Sequence, residues 1–193
     1  MDIETALEDY PKDIELQDGC KCSMRPLQSS DQKALFDFFQ AIPEQERMFI
    51  KHKVSNPEVI QNWCDNIDYA KILPLLVTDG THIMGNASLH QQLGGWKRHI
   101  GRISVLVHPD FRGRGIAKVL VTELLELCRN IGLEKAEAEF IETQTRAINT
   151  FSQLEFTKLL ELPDYVKDMQ AITHDYILMG RELKTDEEYA GMG

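Results

Sequence analysis

No stretch of the chain reaches the roughly 18 consecutive apolar residues that a membrane-spanning helix requires. The opening segment, residues 1–15, is acidic and lacks the basic-then-apolar pattern of a secretion signal, so the expected location is the cytoplasm. Positive charge is in short supply too. There are 21 Lys and Arg against 31 Asp and Glu, a formal net charge of −10. A nucleic-acid partner would need a basic stripe, and an anionic membrane surface would need the same sign. Neither is expected. The acidic balance leans towards cationic small molecules or basic protein segments as partners, with solubility alone as the plainer explanation. Cysteines are few: Cys20, Cys22, Cys64 and Cys128. No second Cys or His pair completes a zinc site, so no metal is expected and all four read as reduced packing residues.

What is present is an ordinary globular composition, 42% apolar and 27% charged, with no repeats and no linker. Residues 1–13 read as a loose lead-in. Ile14 to Met24 reads as a hairpin turning at Asp18-Gly19. Ser29-Ser30-Asp31 starts a helix to about Ala41, and Pro43-Glu44 and Asn56-Pro57-Glu58 start two more. Three strands follow, Leu73–Thr78, His82–Gln91 and His99–His108, the last alternating Ile103, Val105 and Val107 to one face. From Gly115 the helical period takes over through Ile131, with Gly132 at the left-handed C-terminal position. Glu134–Ile141 reads as a strand, Gln144–Leu154 as a helix, Phe156–Leu162 as a strand, Pro163–Asp168 as a loop and Asp175–Glu182 as a final strand. A meander followed by strand–helix–strand crossovers predicts one α/β domain over residues 1–193, with a mixed, mostly antiparallel sheet flanked by helices. Its core spans about 22–183, and 184–193 form a polar tail.

The chemistry is concentrated between Ser104 and Ala117. A strand ends at Val107, His108-Pro109-Asp110-Phe111 leads out of it, and Arg112-Gly113-Arg114-Gly115 opens the long helix. Gly113 and Gly115 let backbone N–H groups approach an anion. The helix N-terminus adds unsatisfied donors and the positive end of its dipole, and two arginines flank it. A pyrophosphate suits such a place; a plain strand-to-helix turn is the alternative. A phosphate-binding loop of the Gly-x4-Gly-Lys-Ser/Thr type is absent, and Lys118 stands where the dinucleotide fingerprint needs a small residue.

Arg112-Gly113-Arg114-Gly115-Ile116-Ala117 resembles the Arg/Gln-x-x-Gly-x-Gly/Ala motif of the GNAT superfamily of acetyl-CoA-dependent N-acetyltransferases. Val105 to Phe111 is similar to the strand that leads into it. Arg25-Pro26-Leu27 and Asp31 resemble the family's opening strand and helix, and Ala147-Ile148 with Phe151 and Phe156 its penultimate helix. The resemblance covers roughly Cys22 to Leu183. It implies transfer of an acetyl group from acetyl-CoA, the co-substrate, to an amine on a small molecule or a protein, by direct attack. A non-catalytic acyl-CoA-binding or sensing module on the same scaffold is the alternative. The pattern leaves a homodimer open.

The resemblance also assigns residues. The backbone of Val105, Leu106 and Val107 would bind the pantetheine arm, and the amides from Gly113 to Lys118, with Arg112, Arg114, Ile116 and Ala117, the pyrophosphate. Gln144 takes the place of a family asparagine and Glu139 that of a glutamate five residues earlier. Phe151 joins the cofactor set where many members carry a tyrosine that protonates the departing thiolate. Gly101-Arg102 stands where some members carry a carboxylate, and Glu155 where the helix motif has a glycine.

An amine must lose its proton before it can attack a thioester, which calls for a general base or a water chain. Alternation places Glu137 and Glu139 on one face of their strand, and Glu139 is the first choice of base, a solvated charged face being the alternative reading. His90 and His108 are weaker candidates, more simply read as structural groups. Tyr165 is the candidate acid, with Tyr176 second. Tyr165, Asp168 and Asp175 could line an acceptor pocket, and Glu137, Glu139, Asp164, Asp168 and Asp175 favour an acceptor that is cationic in solution. Trp63, at helical spacing, reads as core and Trp96 as a loop residue. No cysteine has an evident histidine partner for a covalent route.

Overall fold

The computed structural model describes residues 2–50 and 53–183. Eight strands are formed: β1 (Lys12–Glu15), β2 (Lys21–Pro26), β3 (Ile72–Thr78), β4 (Ile83–His90), β5 (Ile100–Val107), β6 (Lys135–Ile141), β7 (Thr157–Lys167) and β8 (Thr173–Glu182). They make one sheet in the order β1-β2-β3-β4-β5-β6-β8-β7. β5 and β6 run parallel, and the other neighbouring pairs are antiparallel. Parallel neighbours need a long crossover. The helix α5 (Ile116–Asn130), which follows the short or peripheral helices α1 (Ile3–Ala6), α2 (Gln32–Ala41), α3 (Glu44–Arg47) and α4 (Pro57–Asp65) and the single turns at Ser29–Asp31 and Pro109–Phe111, supplies it. α6 (Thr145–Gln153) links β6 to β7.

The strand alternation divides the core in two. Leu73, Leu75 and Val77 of β3, Ile103 of β5 and Ala136 and Ala138 of β6 pack against Leu120, Val121 and Leu124 of α5. On the opposite face Leu76 and Ile83 meet Phe38 and Phe39 of α2 and Ile60 of α4. Each such buried Leu or Phe contributes about 1.5–3 kcal/mol of transfer free energy. α5 ends as its sequence predicts. Gly132 takes φ 80°, Gly132 N–H donates to Arg129 O at 3.0 Å, and Leu133 N–H donates to Cys128 O at 2.8 Å. At its other end, Ile116 sits directly on the sheet because β4 carries Gly85 there. A Cβ on Gly85 would lie 2.5 Å from Ile116 Cγ2.

Two regions differ from expectation. The lead-in is built: Asp2 caps α1 by accepting from Thr5 N–H at 2.8 Å, and β1 extends the sheet by pairing with β2. Lys12 holds it to α5 through Glu123 at 2.6 Å, and the Tyr10 hydroxyl donates to the same carboxylate. The expected loop Pro163–Asp168 is mostly strand. β7 runs through it with an irregularity, pairing jumping from Leu162↔Tyr176 to Val166↔His174, and Asp164 takes φ 51°. β7 is the outermost strand, where a proline's missing N–H costs no ladder bond and a bulge is tolerated. The polar tail, 184–193, lies outside the described residues.

Candidate functional site

β5 and β6 share three rungs, Ile100↔Lys135, Gly101↔Ala136 and Arg102↔Glu137, and then part. β6 continues along β8 as far as Ile141↔Tyr176, and β5 continues along β4 as far as Gly85↔Val107. A fork therefore opens in the middle of the sheet. Its β5 side runs from Ile103 to Val107, and among the described residues no strand pairs with that edge. Ser104 is exposed and Val105, Leu106 and Val107 are half-buried, although β5 is an interior strand. An unpaired edge of a central strand is a template for an added extended chain.

The β5 edge leads straight to the glycine loop. Gly113 and Gly115 take φ 81° and 83°, the left-handed backbone that glycine alone adopts without strain. Gly115 starts α5 with no side-chain cap, so the first-turn amides point out of the helix unsatisfied by one. The flanking arginines have carboxylate partners. Arg112 donates to Glu46 of α3 at 2.9 and 2.8 Å and to Val107 O at 3.3 Å. Arg114 lies 3.3 Å from Asp18, and the side chain of Gln17 in the β1–β2 turn sits over Gly115. Arg112, Gly113 and Lys118 are exposed, Arg114 and Ala117 half-buried, and Ile116 is core.

At the fork's closed end three side chains meet on one face. Arg102 Nη1 lies 3.3 Å from Glu139 Oε1, and the Tyr176 hydroxyl donates to the same oxygen at 3.1 Å. Burial, reinforced by the Glu139 charge, pushes the Tyr176 phenol up to about 12. Glu137 shares this face and pairs with Lys97 at 3.6 Å. Tyr165 is exposed, its ring 5.9 Å from that of Tyr176. The structure thus brings Glu139 and Tyr176 into contact and sets Tyr165 behind the second tyrosine.

The other candidates fall in several places. Gln144 precedes α6 and its Oε1 accepts from Ile141 N–H at 3.0 Å, which fixes the turn after β6. Phe151 is wholly buried, edge-on to Phe140 at 5.0 Å and Phe156 at 4.9 Å, so its ring packs the core rather than the fork. His108 accepts from Asp110 N–H at 3.2 Å and caps the turn there. His90 is exposed at the end of β4, opposite Arg102. Trp63 packs edge-on to Phe39, and Trp96 is 88% exposed in the β4–β5 loop. The acidic groups of the mouth are largely engaged by the protein. Asp168 accepts from the amides of Gln170 and Ile172 and lies 3.4 Å from His174 Nε2, whose Nδ1 is 3.2 Å from Glu142. Asp175 accepts from Asp164 N–H, and Asp164 from the Thr173 hydroxyl. Sequence reasoning missed the Arg102–Glu139 pair and the Glu142–His174–Asp168 cluster. Both join residues more than five positions apart on different elements, which no local spacing encodes.

Known proteins resemble the chain in sequence and fold. Residues 34–156 match the model of the acetyltransferase (GNAT) family. Acetyltransferases from Yersinia enterocolitica and Pectobacterium atrosepticum are 31% and 33% identical over 98 residues, 50% of this chain. The matched stretch spans 59% of those relatives' length. Among solved structures, the GNAT domain of the S. lividans protein PAT superposes with a TM-score of 0.75 at 16% identity, over 91% of this chain and 98% of that one. A putative acetyltransferase from Salmonella typhimurium, solved with acetyl-CoA, gives 0.71 at 17% identity, over 84% of this chain and 94% of its own. At such identities the structural likeness speaks for the fold.

Proposed function

The chain belongs to the GNAT acetyltransferase family, and from that premise we propose that it transfers an acetyl group from acetyl-CoA to an amine. The observation that carries the proposal is the fork: a central strand loses its partner after Arg102 and runs directly into a glycine loop at a helix N-terminus. In this reading the pantetheine arm lies along the edge of Val105, Leu106 and Val107. The pyrophosphate sits at the amides from Gly113 to Lys118, with Arg112 and Arg114 exchanging their carboxylates for phosphate oxygens.

The acceptor enters at the closed end of the fork, where Glu139 takes a proton from its ammonium form. The amine nitrogen donates its lone pair to the thioester carbon, a C–N bond forms, and the carbonyl π pair moves to oxygen. When that pair returns, the C–S bond breaks and its electrons leave on sulfur. The second nitrogen proton passes to water, or to Glu139 once it has handed the first on to solvent. The thiolate takes up a proton, from Tyr176, whose hydroxyl is bonded to Glu139, or from Tyr165, whose ring lies beside that of Tyr176. Such proton transfers contribute about 10²–10⁴-fold each. The proposal places the protein in the cytoplasm, where the thiols of Cys20, Cys22, Cys64 and Cys128 stay reduced.

Calorimetry with acetyl-CoA, followed by CoA release with a panel of amines, tests the reading. Gly115→Glu should abolish binding, since it puts a charged side chain against Gln17 and into the loop; a thermal melt checks that the variant is folded. A parent protein that ignores acetyl-CoA would sink the proposal. Binding without turnover on any amine would leave the sensing module.

A further inference from the structure

Arg102 is out of keeping with a site that only has to deprotonate an ammonium. It stands on the last shared rung of β5 and β6, its guanidinium directed to Glu139 at the closed end of the fork. Among the described residues Glu139 is its one ion-pair partner, at 3.3 Å through Nη1. Its Nε is buried with no hydrogen-bond partner. A guanidinium carries five donors in a fixed plane, and an arginine held in part out of water with donors to spare is under-satisfied. The same corner carries further positive charge. Lys97, Arg98, His99 and Arg102 lie within six residues of a protein whose formal net charge is −10. Lys97 reaches Glu137 at 3.6 Å, and Arg98 Nη1 donates to Gly95 O at 3.2 Å in its own loop. His90, Lys97, Arg102 and Glu137 together line a half-open pocket on this face.

The charges of that pocket, and of Glu139 beside it at the closed end of the fork, are alternately signed rather than acidic. Glu139 and Arg102 present one carboxylate and one guanidinium side by side, and Glu137 and Lys97 present a second such pair. A polyamine or a lysine-rich segment brings nothing to match Arg102 and Lys97 and would be pushed away by them. A zwitterion finds the opposite: a carboxylate for its ammonium and a guanidinium for its own carboxylate, the match of potentials that fixes partner choice at a binding site.

We propose that the acceptor is an amine that carries a carboxylate beside it, an α-amino acid being the simplest case, and that Arg102, assisted by Lys97, is the residue that selects it. This rests on the acetyltransferase reading and names the substrate class of the same site. The ammonium lies towards Glu139 and the carboxylate on the free donors of Arg102. Acetylation then removes the positive charge of the bound zwitterion and leaves an anion.

The test uses the full chain and matched pairs of acceptors: the common amino acids and their carboxamides, which keep the amine and remove the negative charge. CoA release is measured for each, and acetyl-CoA binding is measured separately by calorimetry. At least one free acid should be acetylated about 10- to 100-fold more efficiently than its amide, the discrimination expected of a charge-assisted hydrogen bond. The difference should lie in KM. Arg102→Gln should bring the acid-to-amide ratio close to one with acetyl-CoA affinity unchanged, and Arg102→Lys should restore part of it. Amides used as well as acids, an unaltered ratio in Arg102→Gln, or turnover confined to amines without an anionic group overturns the assignment of Arg102. Acetyl-CoA bound with no carboxylated amine acetylated also overturns it and leaves the family reading standing. Failure to bind acetyl-CoA fells the reading beneath it.

Discussion

In the proposed reaction Glu139 and the two tyrosines carry the residue-scale chemistry. Glu139→Gln keeps the acceptor for the Tyr176 hydroxyl and loses the base, so turnover at neutral pH should fall about 10²-fold or more while acetyl-CoA binding holds. Stopped-flow single turnover separates the two. Tyr176→Phe should slow the chemical step more than Tyr165→Phe, because only Tyr176 touches Glu139; equal rates for both variants and the parent would assign the proton to water. Phe151 supplies a stability test. The position looks like a phenol site in the sequence, yet the ring lies between Phe140 and Phe156 with no exposed edge. A hydroxyl introduced there is buried beside aromatic faces, and Phe151→Tyr should cost about 1–3 kcal/mol in chemical denaturation. A variant as stable as the parent would mean the hydroxyl finds a partner. Gly113, Gly115 and Glu139 were legible in the sequence because each follows from a local pattern, positive φ at a helix start or alternation along a strand. Arg102 was visible only as a departure from the family pattern. Its partner became evident when the fork brought β5 and β6 together.

Among the elements, the β7–β8 hairpin holds the most revealing contrast with its sequence. Pro163, Asp164 and the polar run after them read as a loop, and the edge position of β7 allows them to remain in a strand around an irregularity. Length and period locate elements such as α5, but the sequence does not say which strand is outermost. That is decided by pairing between strands distant in sequence. At the hairpin's tip His174 is held between Glu142 of the β6–α6 turn and Asp168 of the β7–β8 turn, and Phe49 meets its ring edge-on at 5.1 Å. The hydrogen bond to Glu142 leads, and burial opposes it; the net effect raises the His174 pKa above its ordinary value. The folded value exceeds the unfolded one near 6.5, so this contact contributes fully below about pH 6.5 and is lost as pH rises through the raised folded value. Amide exchange, corrected for its intrinsic pH dependence, should show the tip around Asp168 to His174 loosening over that interval. His174→Gln should abolish the change. Protection that stays flat in the parent would mean that the backbone bonds to Asp168 alone order the turn.

Across the whole molecule, two distant segments converge on the Arg112–Lys118 loop proposed for the pyrophosphate: the β1–β2 turn with Gln17 and Asp18, and α3 with Glu46. The N-terminal strand, which looked like a loose lead-in, is therefore part of the site's wall, tied to α5 through Lys12 and Glu123. This meeting sets up a competition. Each arginine already has a carboxylate partner, and a pyrophosphate bound as proposed would have to displace it. Both pairs are partly exposed, so each is worth about 0.2–1 kcal/mol after screening. Removing a carboxylate should therefore strengthen acetyl-CoA binding by up to about 5-fold, the factor that corresponds to 1 kcal/mol. Glu46→Gln acts through Arg112 and Asp18→Asn through Arg114. As they sit on separate elements and share no partner, their effects should add in the double variant. The gain should shrink as salt rises, because screening weakens both the internal pairs and the attraction of the phosphates. Calorimetry at two ionic strengths reads all of this directly. A loss of affinity in Glu46→Gln would reverse the argument: the carboxylate would then be holding Arg112 in the pose that the ligand needs, and its bidentate contact would be preorganisation rather than competition.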